Sequence, residues 1–393
     1  MRNNVAVSLW VNDDYVTSRL SAIEITQEDG LHEVAKIDVL YTVKQGLLAQ
    51  VTTTSDLQDR WAEESRVRLE YGAHSLLSEF FGYVIGSAII PTEQPVRQSS
   101  AATTYCVRYT CLGMSYPMQN QKYREWRNQS YSSIARAIAK EHGLHAAVDL
   151  ATTQIPYRMQ NGQSDFRFLA DLADEIGYRF VVHQGVLYFR NVFDAFLDAQ
   201  KGIVPSFYQN NTPGNRGPLR EFRLTQGTTL PTGGRLTSQQ AHVIANGTVV
   251  PVTATRSTGS GIAAKFTQVV ADRAFTGYGQ ATARVVGAAN TNAQWVTADL
   301  VVDGDSRVFP GSVVNIFGTS LPTGTSGLWM VRKAVHRIHM GANPTTTTYF
   351  CDLSVGRDDV DTLTHYPAAL TSKTSQPVTV YSTNNQWFSV GAS

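Results

Sequence analysis

Asp299, Asp303 and Asp305 fall within one short stretch of the chain, and clustered carboxylates are the ligands a hard divalent cation takes. Their settings differ. Asp299 lies mid-way along a stretch with strand alternation, whereas Asp303-Gly304-Asp305 is turn chemistry, so the three are read as a strand residue and a turn. His336 and His339 (HRIH) are three apart on an expected strand, which sends them to opposite faces and denies them a shared metal. His142 and His145 flank a helix-ending Gly143 and are read as caps on the negative end of that helix. Glu63-Glu64 and Asp358-Asp359 are adjacent pairs that point apart on regular elements and stay solvated. A glycosidase needs two carboxylates facing across a cleft, and the sequence neither places nor excludes such a pair. The glycine stretches 227–234 and 318–327 lack the Lys-Ser/Thr of a phosphate loop, and no Gly-x-Ser-x-Gly elbow occurs. The expectation is therefore no catalytic residue, no metal ligand and no cofactor.

The aromatics divide in the same way. Trp10, Trp61, Trp126, Trp295 and Trp329 would suit carbohydrate stacking, but most lie in strand or helix patterns where core packing accounts for them. Trp387 and Phe388 differ, because they stand in a polar segment not expected to build its own core. They read either as an anchor onto a partner or as a chance pair, and they are the one candidate docking site.

Composition narrows the class. The chain has 393 residues, enough for two or three domains, and 33 Lys plus Arg against 32 Asp plus Glu. That balance argues against a dedicated nucleic-acid binder, which would carry a basic excess. No apolar run approaches the roughly 18 residues of a membrane span, and Met1–Asn4 does not open a signal peptide. A soluble protein made in a cytoplasm is expected. Cys106, Cys111 and Cys351 are the only cysteines; positions five apart on a strand face opposite ways, so neither a disulfide framework nor a zinc site is expected. Charged residues make up only 17%, with abundant Thr, Ser, Gly, Val and Ala, a β-rich texture.

These residues must be positioned by strands in two regions. Val5, Val7, Leu9 and Val11 alternate with Ala6, Ser8 and Trp10, and Val67, Leu69 and Tyr71 with Arg66, Arg68 and Glu70. Strands around Ile37–Tyr41, Gly82–Ala88 and Tyr105–Leu112 continue the pattern, with a loop expected over 91–103. This gives a first β-barrel domain over 1–120. Residues 121–191 read as an α/β insert of two helices and a β-hairpin. Ser130 caps one helix that ends at Gly143, and a linker follows. Ser164 and Asp165 open the second; Phe168, Leu169, Leu172, Ala173 and Ile176 form its apolar stripe, and Gly177 ends it. Tyr178–Val182 and Val186–Arg190 then form a hairpin around His183-Gln184-Gly185. Residues 192–218 read as an irregular linker because of their Asn, Gly and Pro cluster. A second barrel follows over 219–357, from strands at Arg220–Leu224, Gln239–Ala245, Val249–Thr255, Trp295–Val302, Ser312–Phe317, Gly327–His336 and Thr346–Val355, with a short helix over Gln280–Ala288. Residues 358–393 read as an extended tail.

Several of these stretches resemble one family. The run Asn161–Arg190 (NGQSDFRFLADLADEIGYRFVVHQGVLYFR) resembles a module of the baseplate hub proteins of phage tails and related injection systems, the gp27-like, late control protein D-like and VgrG N-terminal hub proteins. Tyr123–Leu144 resembles the first helix of the hub insert. Ala283–Val313, with Asp303-Gly304-Asp305 leading to Phe309-Pro310-Gly311, resembles the second hub barrel, and Gly327–His339 followed by Thr346–Arg357 its closing strand pair. Together these cover most of residues 120–357. The resemblance implies a β-rich α+β fold: two tail-tube-like antiparallel β-barrels with a small α/β insert between them. It further implies a structural, non-enzymatic homotrimer in the virion tail baseplate, assembled in the bacterial host cytoplasm. Such a ring joins a sixfold tail tube to a threefold tip or spike and lets DNA pass. Its partners would be a tail tube or distal tail protein above, a spike or tail-tip protein below, and the tape measure protein. Nothing after Arg357 has the length or repeats of a fused spike needle, so spike and wall-degrading activities are expected in separate proteins. The alternatives are a cell-wall or polysaccharide hydrolase with paired carboxylates, and a glycan- or receptor-binding tail-tip protein with an outward aromatic platform.

Overall fold

Strand alternation shapes the first hundred residues. The structure, a computed structural model, describes residues 5–16, 19–44, 60–73, 76–90, 102–151, 153–209, 218–226, 235–245, 248–258, 264–269, 278–293, 296–318, 321–322, 325–341, 346–357, 378–382 and 387–390. The first half holds β1 (Val5–Val11), β2 (Asp14–Tyr15), β3 (Arg19–Glu28), β4 (Val34–Lys44), β5 (Arg66–Ala73), β6 (Leu76–Ile90) and β7 (Ala102–Gly113). All pair antiparallel, in the order β3-β4-β7-β6-β5-β1-β2. Val67, Leu69 and Tyr71 are buried while Arg66 and Arg68 face solvent, as a period of two requires. Most of the loop expected over 91–103 lies outside the described residues, and its last two residues belong to β7.

The insert is richer in strand than its sequence suggests. After a 3-10 turn at Tyr116–Gln119 come β8 (Gln121–Ser130), α1 (Tyr131–Glu141), β9 (His145–Val148), β10 (Gln154–Ser164), α2 (Asp165–Ile176), β11 (Tyr178–His183) and β12 (Val186–Asn191). Both caps form: Ser130 accepts from Ser133 N, Ser164 from Arg167 N, and Gly177 closes α2 at φ 71°. The hairpin β11–β12 forms as expected, with Gln184 and Gly185 at positive φ in its turn. Two expectations need correction. The stretch before Ser130 is not helix but strand, pairing antiparallel with β10, and the expected linker supplies β9 and β10. In β8 the polar alternation of Tyr123, Glu125 and Arg127 outward against Lys122, Arg124 and Trp126 inward gives no apolar stripe to read.

The irregular linker expected over 192–218 also needs correction. It holds α3 (Val192–Lys201) and β13 (Ser206–Gln209). Val192, Ala195, Phe196 and Ala199 recur at helical spacing and pack on Val313, Leu328 and Met330. The Asn-Gly-Pro cluster that suggests irregularity sits at 210–217, outside the described residues.

The second half holds β14 (Leu219–Gln226), β15 (Arg235–Ala245), β16 (Thr248–Thr258), β17 (Ala264–Val269), α4 (Tyr278–Ala293), β18 (Val296–Asp303), β19 (Val313–Gly318), β20 (Gly327–His339), β21 (Thr348–Arg357), β22 (Val378–Ser382) and β23 (Trp387–Val390). Helix α4 exceeds the expected 280–288 at both ends. Strand β20 carries the architecture. Its first residues pair with β19; a register shift between Val331 and Lys333 turns it, and Lys333–His339 then pairs with Glu28–Ala22 of β3. The two β halves thereby become one 13-stranded sheet, β14-β18-β21-β20-β3-β4-β7-β6-β5-β1-β2, with β19 also pairing β20 and β13 pairing β19 in parallel.

The halves also share one core. Leu9, Ile25, Val39 and Tyr71 of the first belong to the same buried cluster as Leu300, Trp329, Val331 and Leu353 of the second. Each such side chain contributes roughly 1.5–3 kcal/mol on burial, so separating the halves would expose what stabilises both. The fold is β-rich α+β, with the α/β insert between its two β halves.

A second sheet, β17-β15-β16-β22-β23, incorporates part of the tail: β22 pairs antiparallel with β16 and with β23. Helix α4 joins this sheet to the insert. Gly177 and Gly287 meet backbone to backbone there; a Cβ on Gly287 would stand 2.6 Å from Gly177 N.

Candidate functional site: the insert and its junctions

Among the described residues, a dense set of titratable side chains is held by β8, β10 and the facing ends of α1 and α2. Asp165, fully buried at the first turn of α2, accepts from Lys122 Nζ at 2.7 Å, His142 Nε2 at 2.8 Å and Gln160 Nε2 at 3.0 Å, and from Arg124. Arg124 also bonds Gln160 Oε1 (2.8 Å) and Glu141 (2.6 Å), and its guanidinium lies 4.5 Å from the Trp126 ring centre. Burial works to raise the Asp165 pKa; hydrogen bonds from His142, Lys122 and Gln160 and the charge of Arg124 outweigh it and hold the carboxyl far below its ordinary range. A carboxyl so depressed, sealed and fully engaged is poorly suited to general acid–base work. It is instead a lock between two strands and two helices. By sequence His142 reads as a helix cap. Its backbone does fill the C-cap position of α1, but its side chain serves Asp165.

A second junction ties the insert to the β3–β4 turn. Asp29 accepts from Arg179 NH1 at 2.8 Å and from Phe180 N at 3.2 Å, while its own N–H donates to Arg332 O. Burial raises the Asp29 pKa against the pull of Arg179, and burial together with Arg179 pushes Arg332 down to about 10. Between the insert and the second half lies a groove of about 280 Å³ lined by Arg190, Tyr188, Ile203, Phe309 and Pro310. Its arginines are engaged: Arg190 with Asp198, Arg307 with Asp305, Arg179 with Asp29.

The residues singled out by sequence are dispersed. Asp299 accepts from Ser354 and Thr225, Asp303 pairs with Arg220, and Asp305 with Arg307. His336 is buried and His339 exposed, on opposite faces as expected. His145 is exposed, apart from the Asp165 cluster. Glu63 and Glu64 are exposed. Trp61 stacks on Tyr109 and Trp329 donates to Thr325 O inside the core, while Trp295 and the pair Asp358-Asp359 lie outside the described residues. Trp387 and Phe388 begin β23; their side chains lie outside the described residues. No group of His, Cys, Asp and Glu suited to a metal occurs among the described residues. No helix among them is long and apolar enough to cross a membrane.

No protein-family model matches the chain, and no curated protein matches its sequence. Solved structures do match. The 43 kDa tail protein of prophage MuSo2 from Shewanella oneidensis is similar over 91% of this chain and 99% of its own, with TM-score 0.57 and 12% identity. A tail protein from Neisseria meningitidis MC58 gives TM-score 0.57 at 11% identity over 91% of this chain and 98% of its own. The chain has the tail-protein fold. A type VI secretion system component of E. coli, itself structurally similar to the T4 bacteriophage tail proteins gp27 and gp5, gives TM-score 0.50 at 11% identity over 90% of this chain and 78% of its own. The hub resemblance read from residues 120–357 thus extends, as a tail-protein fold, over nearly the whole chain. The Asp165 lock, the Asp29 junction and the β3–β20 seam are features of this chain's version of that fold which its sequence did not announce.

Proposed function

We propose that this chain is a structural hub of a phage-type tail baseplate and has no catalysis of its own. Three copies form a ring that joins the sixfold tail tube to a threefold tip or spike and leaves an axial passage for DNA. The observation that carries the reading is the union of two β halves, antiparallel but for the β13–β19 pair, in one sheet and core, over nearly the full length of a prophage tail protein. Two similar units per subunit become six in a trimer, closed by head-to-tail contacts. The solvated face at the seam supports a passage role: Lys36 pairs with Glu24, Arg108 with Asp38, Lys333 with Glu28, and Arg337 with Glu24 and Asp352. Basic groups consumed in this way release few counterions and hold DNA weakly.

In this reading a tail tube or distal tail protein sits above the ring and a spike or tail-tip protein below. The tape measure protein contacts the passage during assembly in the host cytoplasm, and Trp387 and Phe388 dock the tip protein. Cryo-electron microscopy of virions, with the chain located by a tag, tests the proposal and is expected to find a threefold ring on the tail axis. A position off that axis, or cleavage of peptidoglycan by the purified chain, overturns it. Removal of residues 361–393 is expected to release the spike; unchanged attachment would remove the docking role of the tail.

A further inference from the structure

The β8–β10 ribbon turns an apolar face to solvent. Tyr123, Glu125 and Arg127 of β8 stand directly opposite Asn161, Met159 and Tyr157 of β10, so the six side chains share one face. Tyr123 is 74% exposed, Tyr157 50% and Met159 45%. Glu125 and Arg127 pair at 2.5 Å and the Tyr157 hydroxyl donates to Glu125, so the six carry no net charge. A two-stranded ribbon is marginal by itself. This one is held from behind: Asp165 pairs with Lys122 and Arg124, Glu175 with Arg158, and Trp126 and Ile155 pack on the core of α1 and α2. The Asp165 lock thereby holds in place three large apolar side chains that stay largely in water. Exposed apolar groups gathered on one rigid face mark an interaction surface.

The groove described above lies on the other side of the insert. Phe180, Val182, Leu187 and Phe189 of β11 and β12 pack with α1 and α2, while the alternate residues Arg179, Val181, Tyr188 and Arg190 line the groove. The insert sheet and its helices therefore stand between ribbon and groove. At about 280 Å³ the groove falls short of the roughly 300–1,000 Å³ that encloses a whole small-molecule ligand, and suits a projecting side chain. Tyr188, Phe309, Pro310 and the 95% exposed Ile203 give it apolar walls, and its arginines are already paired with Asp29, Asp198 and Asp305.

We infer that the ribbon of one copy docks in the groove of the next copy of this chain, with Tyr123, Tyr157 and Met159 as its anchors. A projection and a recess on opposite sides of one insert cannot meet within a chain. Between copies they meet head to tail, the kind of contact that closes a ring. The two surfaces match in charge as well as shape, since a neutral aromatic projection faces an apolar recess whose rim charges are satisfied. An apolar centre inside a paired polar rim is the anatomy of a protein interface, and aromatic side chains seated in pockets carry most of its affinity. That the copies number three rests on the hub reading above; the contact itself does not.

The test is cross-linking in assembled tails whose chains carry Tyr123→Cys, Ile203→Cys or both, treated with a short bis-maleimide; Cys106, Cys111 and Cys351 are buried. The double variant should give covalent trimers and nothing larger. Each single variant alone should give no product, and tails mixed from the two should give dimers. Products from Tyr123→Cys tails alone, or a link from Tyr123→Cys to a different tail protein, overturn the docking. A threefold ring seen in virions without the covalent trimer overturns the docking and leaves the hub reading standing. Dimers from the mixed tails with a ladder beyond trimers from the double variant uphold the docking and overturn the ring of three. Should the variants not assemble, hydrogen exchange of the unmodified chain decides. Amides of β8, β10 and α3 should gain protection between the free chain and the tail, and no gain at either surface overturns the proposal.

Discussion

Replacing Asp165 with asparagine keeps the shape at the first turn of α2 and removes only the charge. The side-chain carbonyl of the variant would still accept from Gln160, but Lys122 and Arg124 would lose the carboxylate they converge on. Breaking a buried ion pair from one side costs about 3–5 kcal/mol. Here the cations keep 25% and 23% of their side-chain surface in water and retain Glu141, which lowers the expectation to about 2–4 kcal/mol. Urea unfolding followed through Trp126, beneath Arg124, reads this loss where it occurs, with Trp126→Phe as the blank. The pH dependence is the sharper part. The folded pKa of Asp165 lies below its unfolded value of 3.8, so its contribution is present above about pH 4 and lost as pH falls through the depressed value. The gap between parent and Asp165→Asn should therefore be constant near neutrality and close in strong acid. A cost below about 1 kcal/mol, the range of an exposed pair, or a gap that persists in strong acid would refute the lock.

Two further outcomes follow from the packing. Gly287→Ala should loosen α4 from the insert, because the new Cβ meets the backbone of Gly177 rather than a yielding side chain. A loss of about 1–3 kcal/mol and faster exchange along α4 are expected, checked by thermal melting and hydrogen exchange. Trp329→Phe should keep the edge contact with Phe222 but strand the Thr325 carbonyl, at a cost of about 1–3 kcal/mol measured by urea denaturation.

What the sequence disclosed was what is decided locally. Ser164 and Gly177 act within one helical turn of the residues they cap, so both ends of α2 could be read. The separation of His336 from His339 follows from the period of a strand. The partners of those residues could not be read, because they depend on register: Cys351 stands opposite His336 only once β20 and β21 are aligned. Strand β8 escaped because its inward residues, Lys122 and Arg124, are charged, and the buried carboxylate that justifies them is about 40 residues further on. Helix α3 escaped because the turn-forming cluster after it dominates the local pattern. The contact between Gln27 and His183 was hidden for the same reason as the lock, since the two are joined only by the tertiary fold.

The pairing of β3 with β20 has a consequence for how the chain is made. Its two strands are separated by about 300 residues. At typical synthesis rates the ribosome needs roughly 15–60 s to deliver the second after the first. Throughout that interval one edge of β3 has no neighbour, and its inward face has only half of its eventual cover. A pairing of such long range is slow to form, and the nascent first half is exposed to mispairing with other nascent copies. The same strand that fuses the halves into one sheet thus makes completion of the chain a condition for folding either half securely.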